Sequence, residues 1–459
     1  MQQPQAQPAE KFSEKFTDHA VNGVNLTEQT ADFVAAHRTE DVRQLALKAK
    51  RVEGLDLPLA LDQIAGWQIA CKKLPQWASC EGIIYPPHIS MEQCSSQFTA
   101  QYKSEIAQTL LTPAVTVRAR MSDSAESDTQ ETKTGVRVTD SPESDTLVAR
   151  SSMVDLTGGF GVDFSYLARG FSQATYVERQ RHLCDLAEHN MAALGLDQAR
   201  IVCGDGVEYL RQMGPVDFIY LDPARRDEHG SRTYAIEDCT PNVFELRDLL
   251  LAKSQYTLVK LSPMLDWRKA VADFDGTVRE VHIVATGNEC KELLLVLGQQ
   301  VHEEPSAPRV FCVNDNQRID YDSAAYTQGL RIGGKPLPEA KNYLYEPNAS
   351  IMKAGCFDLV EERFGVTQVG PSSHLFVSAT PVADFPGRGF AIEAIGGMNK
   401  KDIKRLLNGT KQANIAVRNF PLTAPQLRKK LKLADGGPVY LFGTTMQGCD
   451  HVLLRTSKI

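Results

Sequence analysis

Long apolar runs are missing from this 459-residue sequence, and none approaches the roughly 20 residues that a membrane-crossing helix needs. The opening stretch MQQPQAQPAEKFSEKF also lacks the apolar centre of a secretion signal, so a soluble, cytoplasmic protein without a membrane partner is expected. Paired cysteines are missing too. The ten cysteines stand singly, with no C-x-x-C pair and no neighbouring His at a ligand spacing, which predicts reduced core thiols and no metal. Glycine (32) and proline (23) are too scarce for a collagen-like chain, and 42% hydrophobic residues are too many for a globally disordered one. A basic excess is likewise absent, since the net charge is −7. An average over several domains can still hide a local basic surface, and this length predicts roughly two to four domains.

Composition divides the chain. Residues 1–112 begin Gln- and Pro-rich and then carry helical periodicity from about residue 26, with Thr39 a candidate N-cap, predicting a helical N-terminal domain. Residues 113–147 form an acidic Ser/Thr-rich linker whose central part, 122–146, has seven Asp and Glu against Lys133 and Arg137. From 148 to 340, short β-rich runs alternate with helical stretches, the pattern of an α/β domain with a largely parallel sheet. Seven strands are predicted: Met153–Leu156, Ala174–Glu178, Arg200–Cys203, Val216–Leu221, Tyr256–Leu261, Arg279–Thr286 and Glu292–Gly298. Residues 287–291 are too short for a parallel crossover, so the last strand must run antiparallel, unlike the ordinary dinucleotide fold. Residues 299–338 read as an irregular extension. Two small α+β units follow, at 341–388 and 389–459, separated at Asp384-Phe-Pro-Gly-Arg.

The strongest local signal is Val154-Asp-Leu-Thr-Gly-Gly-Phe-Gly-Val-Asp163, a Gly-rich turn between the first strand and a helix. Glycine lets backbone approach a ligand closely. The dinucleotide fingerprint G-x-G-x-x-G fails, because counting from Gly159 its last position is Phe164. Instead, Asp155 precedes Gly159 by four residues, where a carboxylate can bind a ligand ammonium. Glu178 ends the second strand and can accept hydrogen bonds from ribose hydroxyls. Asp205 follows the third strand, where it can accept from an adenine amino group. Asp155, Thr157, Gly159, Gly161, Glu178 and Asp205 are the candidate cofactor residues.

Residues 148–298 thereby resemble the class I S-adenosylmethionine-dependent methyltransferases. Asp155, Gly159 and Gly161 match that family's first motif, Glu178 its second and Asp205 its third. The resemblance implies a Rossmann-like core with a seven-stranded sheet and S-adenosylmethionine as cofactor. It also implies that Asp155 and the glycines contact the methionine end, Glu178 the ribose and Asp205 the adenine.

The fourth strand runs into Asp222-Pro-Ala-Arg225. Methyltransferases of base nitrogens often carry Asp/Asn/Ser-Pro-Pro-aromatic here, whose side chain and carbonyl align the lone pair of the target amine. Asp222 and Pro223 fit, whereas Ala224 and Arg225 depart from the pattern. A guanidinium can stack on a base or hold a phosphate, or Arg225 and Arg226 can simply pair with Asp227 or Glu228. Lys260 lies in the apolar fifth strand, where burial without a partner is costly, so it belongs either near Asp222 or in a structural ion pair. Asp222, Pro223, Arg225 and Lys260 are the catalytic candidates. Asn288, Glu289 and Lys291 in the hairpin connection are weaker ones, and Gln93, Ser95, Ser96, Tyr102 and Lys103 in the helical domain are candidates for covering the cofactor.

Residues 400–432 hold ten Lys and Arg against Asp402 alone, a local net charge of +9. Lys411, Arg418, Arg428, Lys429, Lys430 and Lys432 are the candidate RNA-binding residues, with a solvated helix face as the alternative. The whole chain further resembles a bacterial family of class I methyltransferases with a ferredoxin-like unit and a C-terminal THUMP-like domain. The segments that carry this likeness are Tyr345–Lys353, Asp384–Arg388, Ala413–Pro421 and Leu427–Leu431. THUMP domains bind RNA, so the expected function is methylation of a base nitrogen in structured rRNA or tRNA. A noncatalytic RNA-binding or assembly factor, and a methyltransferase for protein or small molecules, are the alternatives.

Overall fold

The computed structural model describes residues 26–48, 53–86, 88–112, 151–225, 236, 239–299, 307–326, 337, 341–448 and 450–459. The expected acidic linker and the Gln-rich start lie outside these residues. The chain divides into two compact units, Met1–Lys260 with Leu297–Gln299, and Leu261–Val296 with Gln300–Ile459. No helix among the described residues is long and apolar enough to cross a membrane.

The first unit opens with six helices: α1 (Glu28–His37), α2 (Val42–Lys48), α3 (Leu57–Lys73), α4 (Pro75–Ser79), α5 (His88–Gln93) and α6 (Gln97–Leu111). Thr27, Asp56 and Ser96 cap α1, α3 and α6 by accepting from Thr30, Leu59 and Thr99 backbone N–H groups. At α2 the expected cap at Thr39 is replaced by Asp41, which accepts from Gln44 N at 2.9 Å. Asp41 directly precedes the first helical residue, the only place from which a short side chain reaches the orphan N–H groups.

The α/β part of this unit runs β1 (Ser152–Asp155), α7 (Val162–Leu167), β2 (Gln173–Glu178), α8 (Arg181–Ala193), β3 (Ala199–Cys203), α9 (Gly206–Gln212), β4 (Val216–Leu221), α10 (Val243–Lys253) and β5 (Ser254–Leu261). All pairings are parallel, in the order β3-β2-β1-β4-β5. Helices cover both faces of such a sheet, so strands such as β4, buried from Phe218 to Leu221, read as unbroken apolar runs. Strand order reverses between β1 and β4. That switch point leaves a crevice at the carboxyl ends of the strands.

Two side-chain amides hold the irregular segment at residues 83–86 against helices. Gln63 exchanges two 2.8 Å hydrogen bonds with the Tyr85 backbone, and Asn190 of α8 exchanges two of 2.9 Å with the Ile84 backbone. Trp77, 1% exposed, donates to Ser165 of α7 and packs on Phe160. Buried backbone outside regular structure needs such partners.

In the second unit, β6 (Val278–Thr286) and β7 (Glu289–Gly298) form the expected antiparallel hairpin. Its two-residue turn, Gly287-Asn288, has positive φ at both positions, which Gly and Asn tolerate best. The end of β7, Leu297 and Gly298, clusters with the first unit, where β5 is its sheet neighbour. The stretch expected to be irregular instead contains β8 (Arg309–Asn314), parallel to β6, and β9 (Gln317–Asp322), antiparallel to β8. Val310 and Cys312 bury one face, and the Asp315-Asn316 turn closes the hairpin, so burial rather than strong strand patterning makes these residues regular.

Helix α11 (Trp267–Asp273) belongs to this unit as well. Beyond residue 341 come β10 (Tyr343–Pro347), α12 (Ala349–Ala354), α13 (Phe357–Phe364), β11 (Thr367–Gln368), β12 (Phe376–Ser378), β13 (Gly387–Gly396), α14 (Lys400–Leu407), β14 (Asn414–Arg418), α15 (Ala424–Leu431), β15 (Val439–Thr445) and β16 (His451–Lys458). These strands form one sheet, β11-β12-β10-β13-β16-β15-β14, which runs through both of the expected small units. The long strand β13 starts at that turn and pairs with β10 on one side and β16 on the other. Its side chains alternate: Phe442 and Leu454 on neighbouring strands join one core, while Leu441 and Leu453 join Leu406 of α14 with Leu427 and Leu431 of α15. Helices α14 and α15 therefore cover the same face.

Asn190 tests the attachment of the helical domain. Asn190→Ala leaves a buried N–H and a buried C=O of Ile84 without partners, and a loss of about 2–4 kcal/mol in unfolding free energy is expected from denaturant melts. A loss below about 0.5 kcal/mol would show that this amide pair does not hold the segment.

Candidate active site

The Gly-rich turn leaves β1 at Asp155 and enters α7 at Gly161. Gly161, at φ 83°, caps α7 in the left-handed region without a side-chain hydrogen bond. At Gly158 a Cβ would lie 2.2 Å from the Tyr176 ring, so only glycine lets the loop cross β2 there. The Tyr176 hydroxyl donates to Gly159 O. Glu178, at the end of β2, accepts from Gly159 N at 3.0 Å and from Gln180 N at 2.9 Å, tying the second strand end to the turn. Asp205 caps α9, its Oδ1 accepting from Val207 N and Glu208 N.

Asp155 is 1% exposed and accepts from Thr157 N at 2.9 Å. Burial pushes its carboxyl up to about 8, against the pull of the Thr157 hydrogen bonds and with added repulsion from Asp163 and Asp222. The Thr157 hydroxyl accepts from Asp222 N at 2.7 Å, so this one residue connects the turn to the loop after β4.

At the reacting end, Lys260 Nζ lies 2.7 Å from Asp222 Oδ2 and 3.7 Å from Asp163 Oδ2. Asp163, in the first turn of α7, is the hub. It accepts from Lys103 Nζ at 3.0 Å, from Ser95 Oγ at 2.8 Å and from the Tyr220 hydroxyl at 2.7 Å. Ser95 in turn accepts from Lys103 at 3.1 Å and from Lys260 at 3.2 Å. Burial alone would raise the Asp163 carboxyl, but the charges of Lys103 and Lys260 outweigh it and hold the group well below the usual carboxylate range. Two lysines thus face two aspartates.

Asp155, Thr157, Gly159, Gly161, Asp222 and Lys260 line one cavity of about 80 Å³, together with Asp163, Tyr220 and Ser95. Glu178 and Asp205 stand outside its lining, at the neighbouring strand ends. Pro223 is buried beside Asp222, and the Arg225 side chain lies outside the described residues. Of the helical-domain candidates, Ser95 and Lys103 enter the network, Ser96 caps α6, Tyr102 is buried and Gln93 is exposed. Asp163 and Tyr220 were not singled out in the sequence. A lone carboxylate in the apolar run Val162–Leu167 was the available signal, since such a group needs a buried partner.

The basic segment sorts by residue type. Arg405 pairs with Asp402, Arg428 with Asp435 at 2.7 Å, and Arg418 with Glu346 at 2.7 Å. Lys400, Lys401, Lys404, Lys411, Lys429, Lys430 and Lys432 are exposed, and none has a carboxylate partner among the described residues. Of the six residues proposed to meet RNA, four are open lysines and two are committed arginines.

Asp155 makes stability depend on pH in a definite direction. Its folded value lies above the ordinary 3.8, so its contribution is complete below 3.8 and is lost as pH rises towards 8. Asp155→Asn keeps the acceptor for Thr157 and removes the titration. Denaturant melts from pH 4 to pH 8.5 should favour the variant increasingly, by more than about 1 kcal/mol at the alkaline end; a difference that stays flat with pH would contradict the raised value.

A family model for a ferredoxin-like domain matches residues 343–386, and one for a THUMP domain-like unit matches residues 387–458. The structure of a protein assigned as a methyltransferase from Porphyromonas gingivalis W83 superposes at a TM-score of 0.75 with 30% identity, covering 94% of this chain and 97% of that one. A protein assigned as an RNA methyltransferase from Pyrococcus horikoshii matches at 0.31 with 11% identity over 52% of this chain and 98% of that one. A SAM-dependent methyltransferase from Agrobacterium tumefaciens matches at 0.25 with 16% identity over 33% and 56%. No curated protein matches. On the full-length match, the chain belongs to the family of class I S-adenosylmethionine-dependent methyltransferases that carry a ferredoxin-like and a THUMP-like domain after the α/β core.

Proposed function

We propose that this chain methylates a base nitrogen of structured RNA, either rRNA or tRNA, using S-adenosylmethionine. The observation that carries the reading is the pair of lysine-covered helices, α14 and α15, on one face of the C-terminal sheet in a chain whose α/β core bears a methyltransferase site. Lysines without carboxylate partners favour phosphate over solvent only weakly one by one, but together they make binding salt-dependent and largely blind to sequence.

The residues present fit the cofactor. At Gly158 there is no room for a Cβ beside Tyr176, Gly159 takes a positive φ of 55° that favours glycine, and the buried Asp155 carboxyl suits an ammonium group. Glu178 would hold the ribose and Asp205 the adenine. When bound, the cofactor supplies a methyl group on a sulfonium, which needs no prior activation by the protein.

Asp222 has a side chain 40% exposed, and Lys260 holds only its Oδ2. Its other carboxylate oxygen accepts a hydrogen of the target amine and turns the nitrogen lone pair towards the methyl carbon. Once the carbon–nitrogen bond has formed, the nitrogen is cationic and strongly acidic, so a carboxylate suffices to take its proton. Lys260, itself anchored by Asp163 and Ser95, keeps Asp222 in place.

Calorimetry with S-adenosylmethionine should show no measurable affinity in Asp155→Ala and Glu178→Ala, while Asp222→Ala binds normally and transfers no methyl group. Affinity of the unmodified chain should rise from pH 6.5 to pH 8, because an ammonium group binds the ionised form of Asp155. Unchanged affinity in both of the first two variants would overturn the site assignment. Mass spectrometry of nucleosides from wild-type and deletion cells should reveal one missing methylated nucleoside. RNA affinity without a missing mark would instead favour an assembly factor.

A further inference from the structure

A second cavity, of about 360 Å³, lies within the second unit. Four pieces of chain meet there: the Gly287-Asn288 turn, the Asp315-Asn316 turn, Asn348 at the start of α12, and Gly387-Arg388 at the start of β13. Two of them come from Tyr345–Lys353 and Asp384–Arg388, segments that stood out in the sequence and that the methyl-transfer site does not use.

The lining is preorganised by its own amides. Asn288 N donates to Asn314 Oδ1 at 3.1 Å, and Ala349 N donates to Asn288 Oδ1 at 2.9 Å. Asn348 Nδ2 donates to Gln317 Oε1 at 2.9 Å, while Asn348 N donates to Pro386 O at 3.0 Å. At Gly387 a Cβ would sit 2.1 Å from Glu346 O, so the close approach of β13 to β10 admits glycine alone. Because Asn288 Oδ1 is fixed by Ala349, the orientation of its amide is set and its NH₂ is a directed donor without a partner among the described residues. The Asn316 side chain is exposed and likewise without one.

Charge at the cavity comes from both signs: Asp315, whose carboxylate accepts from Thr286 Oγ1 at 2.6 Å and from Gly287 N at 3.0 Å, and Arg388 at the rim. Glu346 is 4% exposed and takes both Arg388 and Arg418, whose side chains are 45% and 40% exposed. Two guanidiniums on one carboxylate leave one net positive charge facing water. Arg418 belongs to the basic segment of residues 400–432.

We infer that this cavity receives one unstacked nucleotide of the RNA, its base edge read by the Asn288 and Asn316 amides and its phosphate held by Arg388. Side-chain amides match the donor and acceptor edges of bases, a guanidinium matches phosphate, and the volume falls within the usual range for small-ligand pockets. This inference rests on the RNA reading above and adds to it a place where sequence is recognised.

Two variants test it in the full-length protein. Asn288→Asp keeps the acceptor for Ala349 and replaces the directed donor with a negative charge. Asn316→Trp blocks the cavity at a position that makes no hydrogen bond to the described residues. Affinity for total tRNA and total rRNA, measured by filter binding at 0.15 M salt, should fall at least tenfold in both, with thermal unfolding and S-adenosylmethionine affinity unchanged. The slope of log affinity against log salt should stay close to that of the unmodified chain. In Lys429→Glu/Lys430→Glu, by contrast, affinity and slope should fall together. Affinity within twofold of the unmodified chain in both cavity variants overturns this inference and leaves the RNA reading standing. Absence of RNA affinity in the unmodified chain removes both.

Discussion

Asp163 is the group on which the first unit turns. A lysine as fully buried as Lys103 is costly unless an anion compensates it, and Asp163 does so while also drawing in Lys260. The same carboxylate accepts from Ser95 and Tyr220, so a residue before α6, the start of α7, β4 and β5 are bound to a single point. Charge is balanced there by two lysines and two aspartates. Asp155, buried nearby without a cation of its own, is left as the carboxyl whose proton is easiest to displace by a positively charged ligand.

The second unit solves a different electrostatic problem. One of its buried carboxylates, Glu346, is met by planar guanidiniums, which offer several directed donors to one group. The lysines of the same segment remain in water on α14 and α15, whose leucines supply the apolar face. In the basic segment the arginines Arg405, Arg418 and Arg428 pair with carboxylates, whereas the exposed lysines have no carboxylate partner among the described residues.

The strand ends and their carboxylates were legible in the sequence because they depend on local rules. An apolar run, then glycine, then an acid at a strand end places Asp155 and Glu178 without knowledge of anything distant. The antiparallel hairpin was legible for the same reason, since five residues cannot cross a sheet. Thr39 failed as a cap by two residues, within the ordinary uncertainty of helix ends. The hairpin of β8 and β9 was hidden because its regularity comes from burial and from pairing with β6. That the two small C-terminal units share one sheet was hidden, because a Pro-Gly turn does not show whether the next strand returns to the sheet already begun.

Sequence by itself determined the order of α and β elements, the Gly-rich turn, the acids at three strand ends and the position of the excess positive charge. These follow from residue spacing and short-range sterics. Only the tertiary structure decided that Lys103 and Ser95 belong to the same site as Lys260, 165 and 157 residues away in the case of Ser95 and Lys103 respectively, and that Arg418 pairs with Glu346. Ion pairing is decided by distance in space, and many chain separations are compatible with the same few ångströms.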